Sequence, residues 1–156
     1  MQKSPSVHGE VYNRRRAHAS RLAVRARSGS LYAMTVLGID HILLAMPPGE
    51  EAKARAFYTG VLLLAEKVKP AALAARGGAW FTNGTIEVHL GVEKDFRAAR
   101  KAHPAFVVRD LDGFIARARQ HGCEMAEDEP LPGYERIFIY DPFGNRLELI
   151  EPHAPP

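Results

Sequence analysis

With 156 residues, 46% of them apolar, the chain has the length for one ordinary domain with a sizeable core and not for two independent ones. The formal charge of +3 is uneven: seven basic residues and one acidic residue in positions 1–33 give that stretch +6, leaving 3 − 6 = −3 for the rest, so the basic character says little for nucleic-acid binding by the folded body. The one cysteine, Cys123, excludes an intrachain disulfide scaffold, and no run approaches the ~18 apolar residues of a bilayer span, so the expected location is cytoplasmic.

Positions 1–33 read as a basic extension without the apolar stretch of a secretory signal, and the Arg14-Arg15-Arg16 cluster lacks the interleaved aromatics of a nucleic-acid site. A single domain is expected over 34–156. Residues 39–45 form an apolar strand stopped by Pro47-Pro48-Gly49. A helix follows over 50–62, with Ala54, Phe57, Tyr58, Val61 and Leu62 on one face. Strands are predicted at 66–69, 78–82 and 85–91, the last two joined by an Asn83-Gly84 hairpin turn, while Gly77-Gly78 supplies a turn and no phosphate loop. The order then repeats: a strand over 102–108, a helix over 111–121 capped by Asp110 and ended by Gly122, and strands at 123–126, 135–140 and 146–150. The last two flank the turn-rich Asp141-Pro142-Phe143-Gly144-Asn145.

Each half is thus a βαβββ module, at about 38–92 and 102–151, and neither alone covers both faces of its sheet. His41 stands 46 residues before Glu87 and His103 stands 45 before Glu148, which puts polar residues on the first and last strands of both modules. A carboxylate such as Glu148 on the inner face of a curled sheet needs a partner. Two imidazoles and a carboxylate around a divalent metal would satisfy it; so would hydrogen-bonded core histidines with Glu148 paired to Arg136 or Arg146. Tyr58 reads as part of the helix packing face and not as an acid catalyst.

Gly38-Ile39-Asp40-His41-Ile42, Ala56-Phe57-Tyr58 before Val61-Leu62, His103-Pro104-Ala105-Phe106, and above all Asp141-Pro142-Phe143-Gly144-Asn145-Arg146-Leu147-Glu148 resemble the vicinal-oxygen-chelate superfamily of glyoxalases, bleomycin resistance proteins and extradiol dioxygenases. The resemblance implies an α+β fold in which paired βαβββ modules curl a mixed sheet around a metal and ligand cavity. It implies one divalent ion per site, Zn, Ni, Mn or Fe, held by His41, His103 and Glu148, with Glu87 or His89 as a further ligand or cavity residue and Glu87 and Glu148 as catalytic carboxylates. The implied function is a metal-dependent glyoxalase-like lyase or isomerase acting on a small oxygenated substrate, as a homodimer. A drug-sequestering binding protein and an extradiol-type dioxygenase are the alternatives. The chain departs from the family's Leu-Gly-Leu helix exit, because Val61-Leu62-Leu63-Leu64 carries no glycine, and this puts the local geometry before Glu66 in question.

Overall fold

The computed structural model describes residues 35–154, and its helices and strands all lie in the compact unit Gly38–Pro156. The basic extension expected over 1–33 lies outside the described residues. The first module runs β1 (Ile42–Met46), α1 (Glu51–Tyr58), β2 (Ala65–Lys67), α2 (Ala71–Ala74), β3 (Trp80–Thr82) and β4 (Glu87–Val92). The second runs β5 (Ala105–Val107), α3 (Leu111–Gln120), β6 (Met125–Ala126), β7 (Tyr134–Tyr140) and β8 (Arg146–Pro152). The sheets have matching orders, β1-β4-β3-β2 and β5-β8-β7-β6, with the first strand of each parallel to the last and the other pairings antiparallel. Strands β1 and β5 are therefore edges.

Alternation along the strands sorts side chains between two faces. Met46, Phe81, Val88 and Leu90 of the first sheet join Phe106, Ile137, Ile139, Leu147 and Leu149 of the second in one core, closed by Ala54, Phe57 and Tyr58 of α1 and Leu111 and Ala118 of α3. The opposite face of each sheet carries the expected site residues. Both first strands begin later than the sequence suggests. His41 precedes β1, and His103 is separated from β5 by Pro104, which has no N–H to give a ladder; its carbonyl accepts from Glu148 N at 2.9 Å.

Helix α1 ends sooner than the apolar stripe predicts. Leu63 takes a left-handed conformation, φ +59°, and Leu64 N then donates to Tyr58 O at 2.9 Å. This is where the expected glycine is missing. Asp110, also left-handed at φ +67°, caps α3 by accepting from Gly113 N at 3.0 Å; a Cβ on Gly113 would stand 2.3 Å from Asp110 Oδ2, so a side chain there would make the capping carboxylate shift. The Asp110 and Leu111 N–H groups donate to Glu151 at 2.9 and 2.8 Å. Helix α2 was not anticipated, since Pro70-Ala71-Ala72-Leu73-Ala74 is too short to show a helical period.

The Asp141-to-Asn145 turn ties the modules together. Asp141 Oδ1 accepts from Phe143 N and Asn145 N, both at 2.9 Å, closing the turn on itself. Its Oδ2 accepts from the Tyr58 hydroxyl at 2.9 Å and from Asn145 Nδ2 at 2.8 Å, and Asn145 Nδ2 also donates to Ala45 O at 2.8 Å. Burial raises the Asp141 carboxyl above its ordinary range despite these donors, and raises the Tyr58 hydroxyl well above its own. Tyr58 is a fully buried packing residue, as its place in the helical stripe predicts.

Candidate metal centre

On the second sheet, His103 Nε2 and Glu148 Oε2 are 3.3 Å apart. His103 Nδ1 lies 2.7 Å from Lys101 O, which can only accept, and 3.0 Å from Arg146 Nη2, which can only donate. With the proton on Nδ1 the ring donates to the Lys101 carbonyl and turns the Nε2 lone pair to Glu148, an arrangement that suits a cation between them; with the proton on Nε2 the ring donates to Glu148 and Nδ1 accepts from Arg146. Glu148 Oε1 is separately held by Arg136 Nη1 at 2.9 Å, and Arg136 Nη2 reaches Asp128 Oδ2 at 3.2 Å and Glu129 O at 2.6 Å. Of the two arginines weighed as partners for Glu148, Arg136 makes the pair and Arg146 turns to the Lys101 carbonyl. The edge of His103 packs on Phe138, with centroids 5.0 Å apart.

On the first sheet, three rings stack in a row. His41 lies on His89 with centroids 4.2 Å apart, and His89 lies on Trp80 at 3.9 Å and 8° from parallel. His89 Nε2 is 3.3 Å from Glu87 Oε2, whose partner oxygen takes the Lys67 ammonium. These bonds, that from Lys67 foremost, hold the Glu87 carboxyl below its ordinary range; burial holds the His89 imidazole below its own, which favours the neutral ring that a metal requires.

Strand register settles which first-module residue corresponds to Glu148. Leu43, two residues after His41, pairs with His89; Ala105, two residues after His103, pairs with Glu148. His89 is therefore the positional counterpart of Glu148, and Glu87 is the counterpart of Arg146. The near-equal sequence spacings of 46 and 45 residues suggested Glu87, because counting through loops does not count ladder positions.

His103 and Glu148 are thus brought together, as are His41, His89 and Glu87. Among the described residues no three His, Cys, Asp or Glu side chains gather around one point that could hold an ion, so His41 does not join His103 and Glu148 within one chain. The donor chemistry fits a divalent ion, two nitrogens and one carboxylate oxygen with a further nitrogen at His89. A cavity of about 460 Å³ has His41 and His89 in its wall, a groove of about 600 Å³ between the β1 and β5 edges has His103 in its wall, and Leu43 lines both. Sequence reasoning missed Trp80 and the cations Lys69 and Arg76 beside it. The available signal was the alternation around buried Phe81, which sends Trp80 and Thr82 to the site face.

A family model described as the glyoxalase/bleomycin resistance protein/dioxygenase superfamily matches residues 38–149. Among solved structures, a protein from Bacillus anthracis assigned by name to the glyoxalase family shares 42% identity at a TM-score of 0.73, covering 77% of this chain and 98% of its own. The fosfomycin resistance protein FosX from Listeria monocytogenes shares 20% identity at a TM-score of 0.62, covering 75% of this chain and 94% of its own. FosX from Mesorhizobium loti shares 22% at 0.57, covering 74% and 91%. A variant of the Listeria protein was solved with Mn(II) and a dihydroxypropylphosphonic acid. No curated protein matches the chain.

Proposed function

The chain belongs to the glyoxalase/bleomycin resistance protein/dioxygenase superfamily, and from that premise we propose that it is a metal-dependent, glyoxalase-like lyase or isomerase working as a homodimer on a small oxygenated substrate. The observation that carries this reading is the His103–Glu148 pair, an oriented imidazole nitrogen and a buried carboxylate oxygen 3.3 Å apart. His41 and His89 hold matching positions on the other module, and the β1 and β5 edges are open with Leu43 and Val107 62% and 66% exposed. A second copy laid along these edges covers that apolar surface and brings His41 of one subunit toward His103 and Glu148 of the other. Mn(II) in Listeria FosX supports a divalent ion as the group held.

A divalent ion at such a centre supplies stabilisation of negative charge developing on adjacent substrate oxygens. The protein's own part is positional. Arg136 fixes one oxygen of Glu148 and leaves the other free to ligate, and the Lys101 carbonyl sets the His103 ring. Glu87, ionised at neutral pH, accepts a proton from the carbon beside a substrate carbonyl, as a weaker base than a free carboxylate because Lys67 donates to it.

Elemental analysis and calorimetric Mn(II) titration of the wild type and Glu148→Gln test the reading. Near-stoichiometric metal in the wild type and a large loss of affinity in the variant are expected; equal affinity in the two removes Glu148 as a ligand. A second reading, metal-free sequestration of a small molecule, draws on the Arg136–Glu148 ion pair, which already supplies the buried carboxylate with a counter-charge. A reproducibly metal-free protein that still binds ligands favours it.

A further inference from the structure

The cavity beside the His41–His89–Trp80 stack carries a chemical signature of its own. At about 460 Å³ it is of the size that encloses small organic molecules. Leu43, Leu73 and Trp80 give it apolar walls, Lys69 and Arg76 give it two cations, and no carboxylate lines it. Of the carboxylates nearby, Glu87 pairs with Lys67, and Glu51 accepts the Gly78 N–H at 2.8 Å and acts on Lys69 from a distance without forming an ion pair with it. The Lys69 ammonium donates to Gly77 O and stands 6.0 Å from the Trp80 ring centroid, so it is positioned by neutral groups and has two of its three donors left over. Arg76 makes no ion pair among the described residues. In a body whose formal charge outside 1–33 is −3, two cations that form no ion pair among the described residues, set beside an apolar cleft, are a local positive excess that attracts an anion.

We infer that this cavity takes a small organic oxyanion, its charge held by Lys69 and Arg76 and its apolar body laid against Leu43, Leu73 and Trp80. As the substrate class of the proposed centre, it rests on the reading that this face of the first sheet fronts the metal, since His41 and His89 lie in the same wall. A ligand anchored there presents its uncharged oxygens toward the imidazole edges. Carboxylates and phosphonates share the required chemistry.

Trp80 is the chain's single tryptophan, so intrinsic fluorescence reports on this wall. The full-length protein, with Mn(II) added and separately after chelation, is titrated with phenylacetate, phenylphosphonate and the neutral benzyl alcohol by fluorescence and calorimetry. Saturable binding of at least one anion is expected, about five- to tenfold tighter than benzyl alcohol, with Lys69→Gln and Arg76→Gln each removing most of that preference and leaving benzyl alcohol unchanged. The tighter of the two anions identifies carboxylate or phosphonate as the anchor. Circular dichroism of these variants confirms that they are folded, and Mn(II) titration of each keeps the two readings apart. Anion binding that persists in a protein taking up no Mn(II) upholds the anion site and defeats the metal centre. Anions bound no better than benzyl alcohol, absence of saturation by either, or an anion preference untouched by both variants overturns the anion site whatever the metal content.

Discussion

Leu63 gives the sharpest test of how this sequence meets its fold. A left-handed conformation costs a non-glycine residue roughly 1–2 kcal/mol, because Cβ crowds the following carbonyl. Glycine there escapes that cost but gives up roughly 0.4–1 kcal/mol through the extra freedom of its unfolded chain. The side chain, 57% exposed, has some packing to lose, so Leu63→Gly against wild type mixes three effects. Comparing Leu63→Gly with Leu63→Ala leaves only the β-carbon in the packing term, since both variants delete the rest of the side chain. The expected result is Leu63→Gly more stable than Leu63→Ala by about 0.5–1 kcal/mol. At an ordinary helical or extended position the order is reversed, with glycine the weaker by a similar amount. Urea unfolding followed by far-ultraviolet circular dichroism, at a common slope, reads the difference directly. An alanine variant as stable as the glycine variant, or more so, refutes the strained exit.

Tyr58→Phe keeps the ring stack on Phe81 but takes one donor from the buried Asp141 carboxylate, and is expected to cost about 1.5–3 kcal/mol at neutral pH; a loss below about 0.5 kcal/mol in urea unfolding denies the bond its role. Glu151, held below its ordinary value of 4.5 first by the Leu111 N–H and then by that of Asp110, contributes stability that is full above pH 4.5 and fades as pH falls through the lowered folded value. The melting-temperature gap between wild type and Glu151→Gln therefore stays constant from neutral pH to about 4.5 and closes below it; a gap that widens in acid contradicts this. Light scattering is expected to give twice the 17.2 kDa chain mass for the wild type and a smaller dimer fraction for Leu43→Asp, whereas a monomeric wild type rejects the edge-to-edge assembly. In Mn(II) titrations His89→Ala is expected to lose at least roughly tenfold in affinity and Glu87→Gln less; the opposite order assigns the ligand to Glu87.

Much of the architecture was legible because it is written in short-range chemistry. Asn83-Gly84 forms its turn with Gly84 at φ +88°, Asp110 and Gly122 bound α3, and the alternation in Ile137, Ile139, Leu147 and Leu149 fills the core face of β7 and β8. The juxtaposition of His103 with Glu148 could be read from the repeat, since both stand at its fixed points. Three features were not legible. The correspondence of His89 with Glu148 depends on ladder register, which loop lengths between strands conceal. The ends of β1, β5 and α1 depend on where hydrogen bonds stop, and apolar runs continue past those points. The Lys69–Trp80 wall is assembled by the turn at Gly77-Gly78, whose positive φ angles of +70° and +77° bring β2 back against β3.

The Asp141-to-Asn145 turn also bears on the order in which the molecule can be completed during synthesis. Tyr58 and the residue that satisfies its hydroxyl are 83 positions apart, which is roughly 4–17 s of elongation at about 5–20 residues per second. From the completion of β4 at Val92 until the turn is made, the first module has its strands and helix sequence but not the Asn145 amide for the Ala45 carbonyl, nor Leu147 and Leu149 to complete the core they share with Val88 and Leu90. A nascent chain stopped before the turn thus lacks the residues that complete its core, and the first repeat is finished as a structure only when the closing strand has emerged.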